Sequence, residues 1–244
     1  MKETNLNIEK LFADLNIKKD DDIMIHGDSG AIEQLQRKKK FKFFFDKIIN
    51  FVGKQGTVLI PAFSYSFCGT KLFNPKKTPS QIGLFSEIFR LRKDTKRTNH
   101  PIFSFSIYGK NWKIYNRAKT ETCFGKGTTF DIFHNFNGKI ITIGTTFENS
   151  ATFLHYIEES ASVNYRFNKK FLGKITNNKN KEPISTTFYV RKRRFNKEFK
   201  KLPPYFKLLK KTEFGRYNVY SVSSKKLFNF CIKKIKKNNN FLVN

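Results

Sequence analysis

Residues 138–159 read GKIITIGTTFENSATFLHYIEE: a buried strand, a glycine turn and then a helix, the unit around which an α/β fold is built. Ile140, Ile141 and Ile143 form a short β-branched apolar run, and Gly144 ends it. Asn149 or Ser150 can cap the helix that follows, because a short side-chain oxygen accepts from first-turn amides that have no partner of their own. On that helix Phe153, Ile157 and Ala161 recur at i, i+4 and i+8 as one apolar face. Thr152, His155, Glu158 and Glu159 fall on the other side, where the imidazole meets a carboxylate at i+3 or i+4. A histidine oriented in this way is a usable general base near neutral pH, and the same spacing also describes an exposed face with ordinary charge pairs.

Upstream, a helix is predicted to reach Leu15 with Leu6, Leu11, Phe12 and Leu15 inward, followed by a strand over Asp22 to His26. That strand runs into a small-residue turn from Gly27 to Ala31, whose backbone amides can face a phosphate or can serve as a plain strand–helix connection. Arg37 to Lys40 is a basic run, either a solvated helix face or a partner for a terminal phosphate. A second buried strand spans Thr57 to Ile60, and a long polar and aromatic loop follows from Ala62 to Gln81, a length usually tied to function. Further elements are a helix from Ile82 to Leu91, a strand from Ser104 to Tyr108 and a glycine-rich turn from Phe124 to Thr129. Beyond Ser160 the pattern turns to alternating β, with a hairpin loop at Asn177 to Asn180 and a basic amphipathic last helix packing Leu227, Phe230, Cys231 and Ile235 on the core.

Charge limits the partners. The chain carries a net +29, yet only 10 of its 48 basic residues are Arg, the residue that phosphate and base recognition favours for its bidentate fork. From Phe167 onward 22 Lys or Arg face three acids, so the last third holds most of the excess. Cys68, Cys123 and Cys231 are scattered and odd in number, which gives neither metal spacing nor a disulfide framework and points to a reducing compartment. No segment has the length or apolarity of a membrane span or of a signal peptide's core, so a cytoplasmic protein is expected.

Several motifs then line up in order: MIHGDSGAI, QGTVLIPAFS, FNPKKTPSQIGLFSEIFR running into RTNHPIFSFSIYG, CFGKGTTFDIF, IITIGTTFENSATFLHYIEE and VNYR. Together they resemble the aminoglycoside 3-N-acetyltransferase family, with coverage from about Leu6 to Arg166 and a divergent part from 167 to 244. The resemblance implies a three-layer α/β/α sandwich around a mixed central sheet, here a single acetyltransferase domain over 1–244 with a β-rich basic C-terminal portion. It implies acetyl-CoA as co-substrate and no metal. It makes His155 the catalytic base, with Glu158 and Thr152 beside it in the pattern T-x-x-H-x-x-E. Asp28, Ser29, Gly30 and Ala31 would hold pantetheine and pyrophosphate through backbone amides, and His100, Ser104 and Phe105 would sit in the acetyl-CoA cleft. Gly-Asp-Ser-Gly in the first turn departs from the Ser and Leu usual in antibiotic-modifying members.

The chemistery implied is deprotonation of an amine and its direct attack on a thioester, with Thr152 and Ser104 as donors to the developing oxyanion. Net charge argues for an anionic acceptor, a nucleotide-linked amino sugar, over a polycationic aminoglycoside as the alternative. A small-molecule acceptor is expected, with no nucleic acid, no membrane span and a homodimer as one possible assembly. The competing class is a non-catalytic RNA- or membrane-surface-binding protein that uses the basic last third, including the run Arg191 to Arg194.

Overall fold

The computed structural model describes residues 7–36, 41–177, 180–193 and 207–243. Helix α1 (Ile8–Asp14) precedes β1 (Asp22–Gly27), α2 (Ser29–Gln36), α3 (Phe41–Val52) and β2 (Thr57–Pro61). The long loop after β2 is partly structured, holding α4 (Phe67–Thr70) and β3 (Leu72–Phe73) ahead of α5 (Leu84–Arg90). Next come β4 (Lys96–Arg97), β5 (Phe105–Gly109), α6 (Trp112–Tyr115) and α7 (Thr129–Asn135). The unit that opened the sequence reading supplies β6 (Lys139–Ile143), α8 (Phe147–Ser150) and α9 (Phe153–Ser160). A long hairpin, β7 (Arg166–Asn177) and β8 (Asn180–Arg191), leads to β9 (Lys210–Phe214), β10 (Tyr217–Ser223) and α10 (Ser224–Lys237).

Seven strands form one sheet in the order β4-β5-β2-β1-β6-β10-β9. β1 pairs parallel with β2 and with β6, while β5 and β10 pair antiparallel on either side, so the sheet is mixed. The central strands are near-continuous apolar runs because both of their faces are covered. Ile23, Ile25, Val58, Ile60, Ile141 and Ile143 point to one layer, where they meet apolar residues of α1, α2, α3 and α5. Met24, Leu59 and Ile140 point to the other, against α7, α9 and α10. The period of two along each strand thus serves two separate cores, which gives the expected α/β/α layering. A smaller sheet, β3-β7-β8, stands beside the main one.

Differences from the sequence reading are local. Neither Asn149 nor Ser150 starts α9: both fall in α8, Thr152 takes the capping position without a side-chain bond to the helix, and Ser150 Oγ bonds Thr145 Oγ1 at 2.7 Å instead. Leu227, Cys231 and Ile235 of α10 are buried as the stripe required, and Phe230 is half-buried. Leu6, Arg37 to Lys40, the hairpin tip at 178–179 and Arg194 lie outside the described residues. Among the described residues no helix is long and apolar enough to cross a membrane.

Candidate active site

His155 lies in the first turn of α9, whose start is fixed by Phe153 and Leu154 sinking into the core. Its Nδ1 is 2.9 Å from Glu158 Oε2, so the i, i+3 pairing expected of the helix is made. The polar face itself is not exposed: Glu158 has no accessible surface, while the His155 side chain keeps 23% of its own. A carboxylate is buried at this depth only when charge and hydrogen bonds compensate for lost water. Two arginines do so. Arg166, the first residue of β7, places Nη2 2.6 Å from Glu158 Oε2, and Arg191, the last of β8, places Nη2 3.2 Å from Oε1. Arg166 is held in turn by Nη1 donating to the Tyr189 carbonyl at 2.7 Å. Burial would raise the Glu158 carboxyl, but the bond to His155 and the two guanidinium charges outweigh it and hold it well below its ordinary value. Burial, and then the charge of Arg166, pushes the His155 imidazole down to about 4. At neutral pH the cluster is a neutral imidazole against an ionised carboxylate, the protonation state a general base needs.

Sequence reasoning missed both arginines. VNYR ends on Arg166, but nothing local ties it to a carboxylate eight residues earlier, and Arg191 sits in a basic run that reads as solvated surface. The hairpin register supplies the link, since Arg166 and Arg191 are directly opposite each other on β7 and β8.

A pocket of about 250 Å³ opens at the strand ends beside α9. Its walls are the end of β1 (His26 to Asp28), the residues after β2 (Phe63 and Tyr65) and the turn from β6 to α9 (Thr145, Ser150 and Thr152). Crevices at the carboxyl ends of parallel strands are where α/β sheets bind ligands. His155 and Glu158 are not among the described residues lining this cavity. The link between cavity and imidazole is Thr152, which lines the cavity and whose carbonyl accepts from the His155 amide at 2.9 Å. A chain of rings also runs between them, from Phe63 through Phe103 and Phe124 to His155, with successive centroids 4.9, 4.6 and 5.3 Å apart. Of the described residues lining the cavity, Asp28 carries a charge, and none is Lys or Arg.

Of the turn from Asp28 to Ala31, Asp28 is the member among the described residues lining this pocket, and several of the turn's hydrogen bonds are committed. Asp28 Oδ1 accepts from the Ala31 amide at 2.7 Å, the Asp28 amide donates to Ile143, and Ser29 Oγ accepts from the Phe85 amide at 2.8 Å, capping α5. Two of the four amides expected to hold a pyrophosphate are thus occupied, and a carboxylate stands among them. Of the two remaining amides, Gly30's belongs to an exposed residue and Ser29's to a half-buried one.

His100, Ser104 and Phe105 are placed in the interior, with 4%, 0% and 0% of their surface accessible, and they offer a ligand no contact face. His100 Nδ1 accepts from the amides of Ile102 and Phe103, and Nε2 donates to the Thr122 carbonyl at 3.1 Å, so burial keeps it neutral with a pKa of about 4. Ser104 Oγ donates to the Ala62 carbonyl and accepts from Arg97 Nε at 3.0 Å. Arg97 also reaches Ser64 Oγ and the Ala62 and Thr78 carbonyls, tying the long loop down next to the pocket. Phe105 packs on Phe63 and Phe130. These three residues build the wall behind the site.

Comparison with known proteins follows the same outline. A curated relative, the SPbeta prophage-derived aminoglycoside N(3')-acetyltransferase-like protein YokD of Bacillus subtilis (strain 168), is 25% identical over 43% of this chain, and the match spans about half the relative, 47%. The solved structure of YokD from Bacillus subtilis superposes with a TM-score of 0.76 at 21% identity, covering 94% of this chain and 97% of that one. AAC-VIa bound to sisomicin gives 0.79 at 17% identity over 97% and 98%. AAC-IIIb in a binary complex with CoASH gives 0.76 at 16% over 93% of each chain. At these identities the superpositions establish the shared fold, and the sequence match extends further. Residues 24–236 match the family model described as aminoglycoside 3-N-acetyltransferase, and the chain belongs to that family.

Proposed function

We propose that the protein transfers acetyl from acetyl-CoA to an amine of an amino sugar of the aminoglycoside type, with His155 as general base. The observation that carries this reading is the pocket itself. Thr152, three residues before His155, lines it, and its described lining holds one carboxylate and no Lys or Arg although the chain bears +29. An ammonium-bearing sugar fits such a lining, with Asp28 as its cation partner. Net charge acts at long range and is screened within about 10 Å at 0.1 M salt, so the lining decides what is held.

In the reacting form the Nδ1 hydrogen is turned toward Glu158, and Nε2 is the proton acceptor. His155 takes the proton from the acceptor's nitrogen as that nitrogen bonds to the thioester carbonyl carbon. The carbonyl π pair moves onto oxygen, where Thr152 at the pocket wall is the donor best placed to meet it. The carbon–sulfur bond then breaks, and the thiolate takes the proton back from His155. The amide and free CoA leave, and the base is restored. Asp28 to Ala31 contributes contacts to pantetheine beside Gly30 more readily than to the pyrophosphate, which the Asp28 carboxylate opposes.

A nucleotide-linked amino sugar is the second reading, favoured by the overall +29. An acceptor panel read by thiol release separates the two. Turnover of kanamycin-like compounds at least about tenfold above nucleotide amino sugars, a difference of about 1.4 kcal/mol, supports the proposal. The reverse order overturns it in favour of the anionic acceptor.

A further inference from the structure

We propose that Arg166 sets the tautomer of His155, and through it the fraction of the protein that carries a competent base. The inference rests on the reading of His155 as that base. Three groups meet at one point: Arg166 Nη2 is 2.8 Å from His155 Nδ1 and 2.6 Å from Glu158 Oε2, and that oxygen is 2.9 Å from the same Nδ1. Nδ1 either carries a hydrogen or presents a lone pair. With the hydrogen it donates to Glu158, and Nε2 has the lone pair that accepts a substrate proton. Without it, Nδ1 accepts from Arg166, the hydrogen sits on Nε2, and the ring cannot act there as a base.

Arg166 cannot swing out of this competition. Its side chain is 3% accessible and its other terminal nitrogen is bonded to the Tyr189 carbonyl. Arg191 holds the opposite oxygen of Glu158, so two positive charges draw on the carboxylate that would otherwise claim the Nδ1 hydrogen outright. Among the described residues, the Phe124 ring lies 5.3 Å from the imidazole, centroid to centroid, and the phenols of Tyr165 and Tyr189 sit close enough to Glu158 and Arg166 to feel their charges. Glu159, next to Glu158 in the chain, has its Oε1 accepting from Thr122 Oγ1 at 3.1 Å. The arrangement has a use in acyl transfer. The guanidinium keeps the ring unprotonated and ready to accept at neutral pH, while lowering its base strength.

The test is nitrogen-15 NMR of histidine-labelled protein, with the His155 signals assigned by their loss in His155→Ala. At neutral pH the wild type is expected to give ring shifts between those of the two neutral tautomers, and Arg166→Gln the pattern of hydrogen on Nδ1. The pH at which His155 protonates is expected to rise by about one unit or more in Arg166→Gln, as removal of a neighbouring positive charge requires, and the acid limb of kcat/KM moves with it. Arg166→Lys, which keeps a charge and a donor, stays near wild type in both. A wild-type spectrum that already shows hydrogen on Nδ1 alone overturns the proposal, as does an Arg166→Gln protein with an unchanged tautomer ratio. If Arg166→Gln does not fold, the wild-type spectrum decides between those outcomes. A tautomer shift without any movement of the kinetic limb upholds the role of Arg166 and refutes His155 as the base, so the two failures are distinct.

Discussion

Glu158 shows how one residue changes meaning between sequence and structure. At i+3 from His155 it reads as part of a polar helix face, and in the fold it is fully buried between two arginines. Its removal leaves two largely buried guanidinium groups without their anion. Glu158→Gln is therefore expected to destabilise the protein by about 3–5 kcal/mol, measured as a shift of the urea midpoint, with acetyl transfer down at least about 100-fold. Loss of activity with unchanged stability would show that the carboxylate does not hold the hairpin. The pairing with His155 was legible because helical spacing is a local rule. The arginines were not, because their positions depend on the pairing of two strands far from the helix. His100 and Ser104 illustrate the reverse case: polar residues clustered beside a proline look like a site, yet each is spent on backbone amides and carbonyls.

Among the elements, β6 and the turn into α8 position the site, and this turn depends on close approach. Gly144 has φ +74°, and a Cβ added there would lie 2.3 Å from Ala31 Cβ. α2 packs down on the end of β6 only because that position has no side chain. Gly144→Ala combines a left-handed backbone with a clash against a rigid neighbour, each worth about 1–3 kcal/mol. A lowered thermal midpoint with reduced transfer activity is expected, and a midpoint within a degree of wild type would contradict the packing described. The parallel core strands were legible in their β-branched runs, since being covered on both faces leaves an unmistakable pattern. The hairpin β7–β8 was not delimited, because stretches such as Asn168 to Lys170 are exposed and carry no apolar alternation. Its extent is set by cross-strand register over 12 residues of each strand.

At the scale of the whole molecule, charge and burial act separately. The +29 is an average over a surface, whereas the described lining of the pocket is neutral groups and one aspartate, and the two favour opposite acceptors. Burial leaves its own signature in the histidines: it pushes His26 down to about 3 and His100 and His155 to about 4, and it lowers His134 as well. At pH 7 all are neutral in the fold and mostly neutral in the unfolded chain. As pH falls below about 6.5, the unfolded chain binds protons that His26, His100 and His155 refuse in the fold until pH approaches 4, so stability is lost across that window. Asp22 and Glu159, whose carboxyls burial raises, act in the opposite sense at its acid end. Calorimetry from pH 7 to pH 5 should show a steadily falling midpoint, at up to about 1.4 kcal/mol per pH unit for each of His26, His100 and His155. A flat midpoint would mean that these rings are not held neutral. The central claim is narrower, that the imidazole of His155 removes the acceptor's proton. It is tested most directly by thiol release from acetyl-CoA with an aminoglycoside acceptor, comparing wild type with His155→Ala, alongside calorimetric titration of CoA. The account predicts a rate lowered by about 100-fold or more with CoA affinity kept, and near-normal turnover in the variant would contradict it.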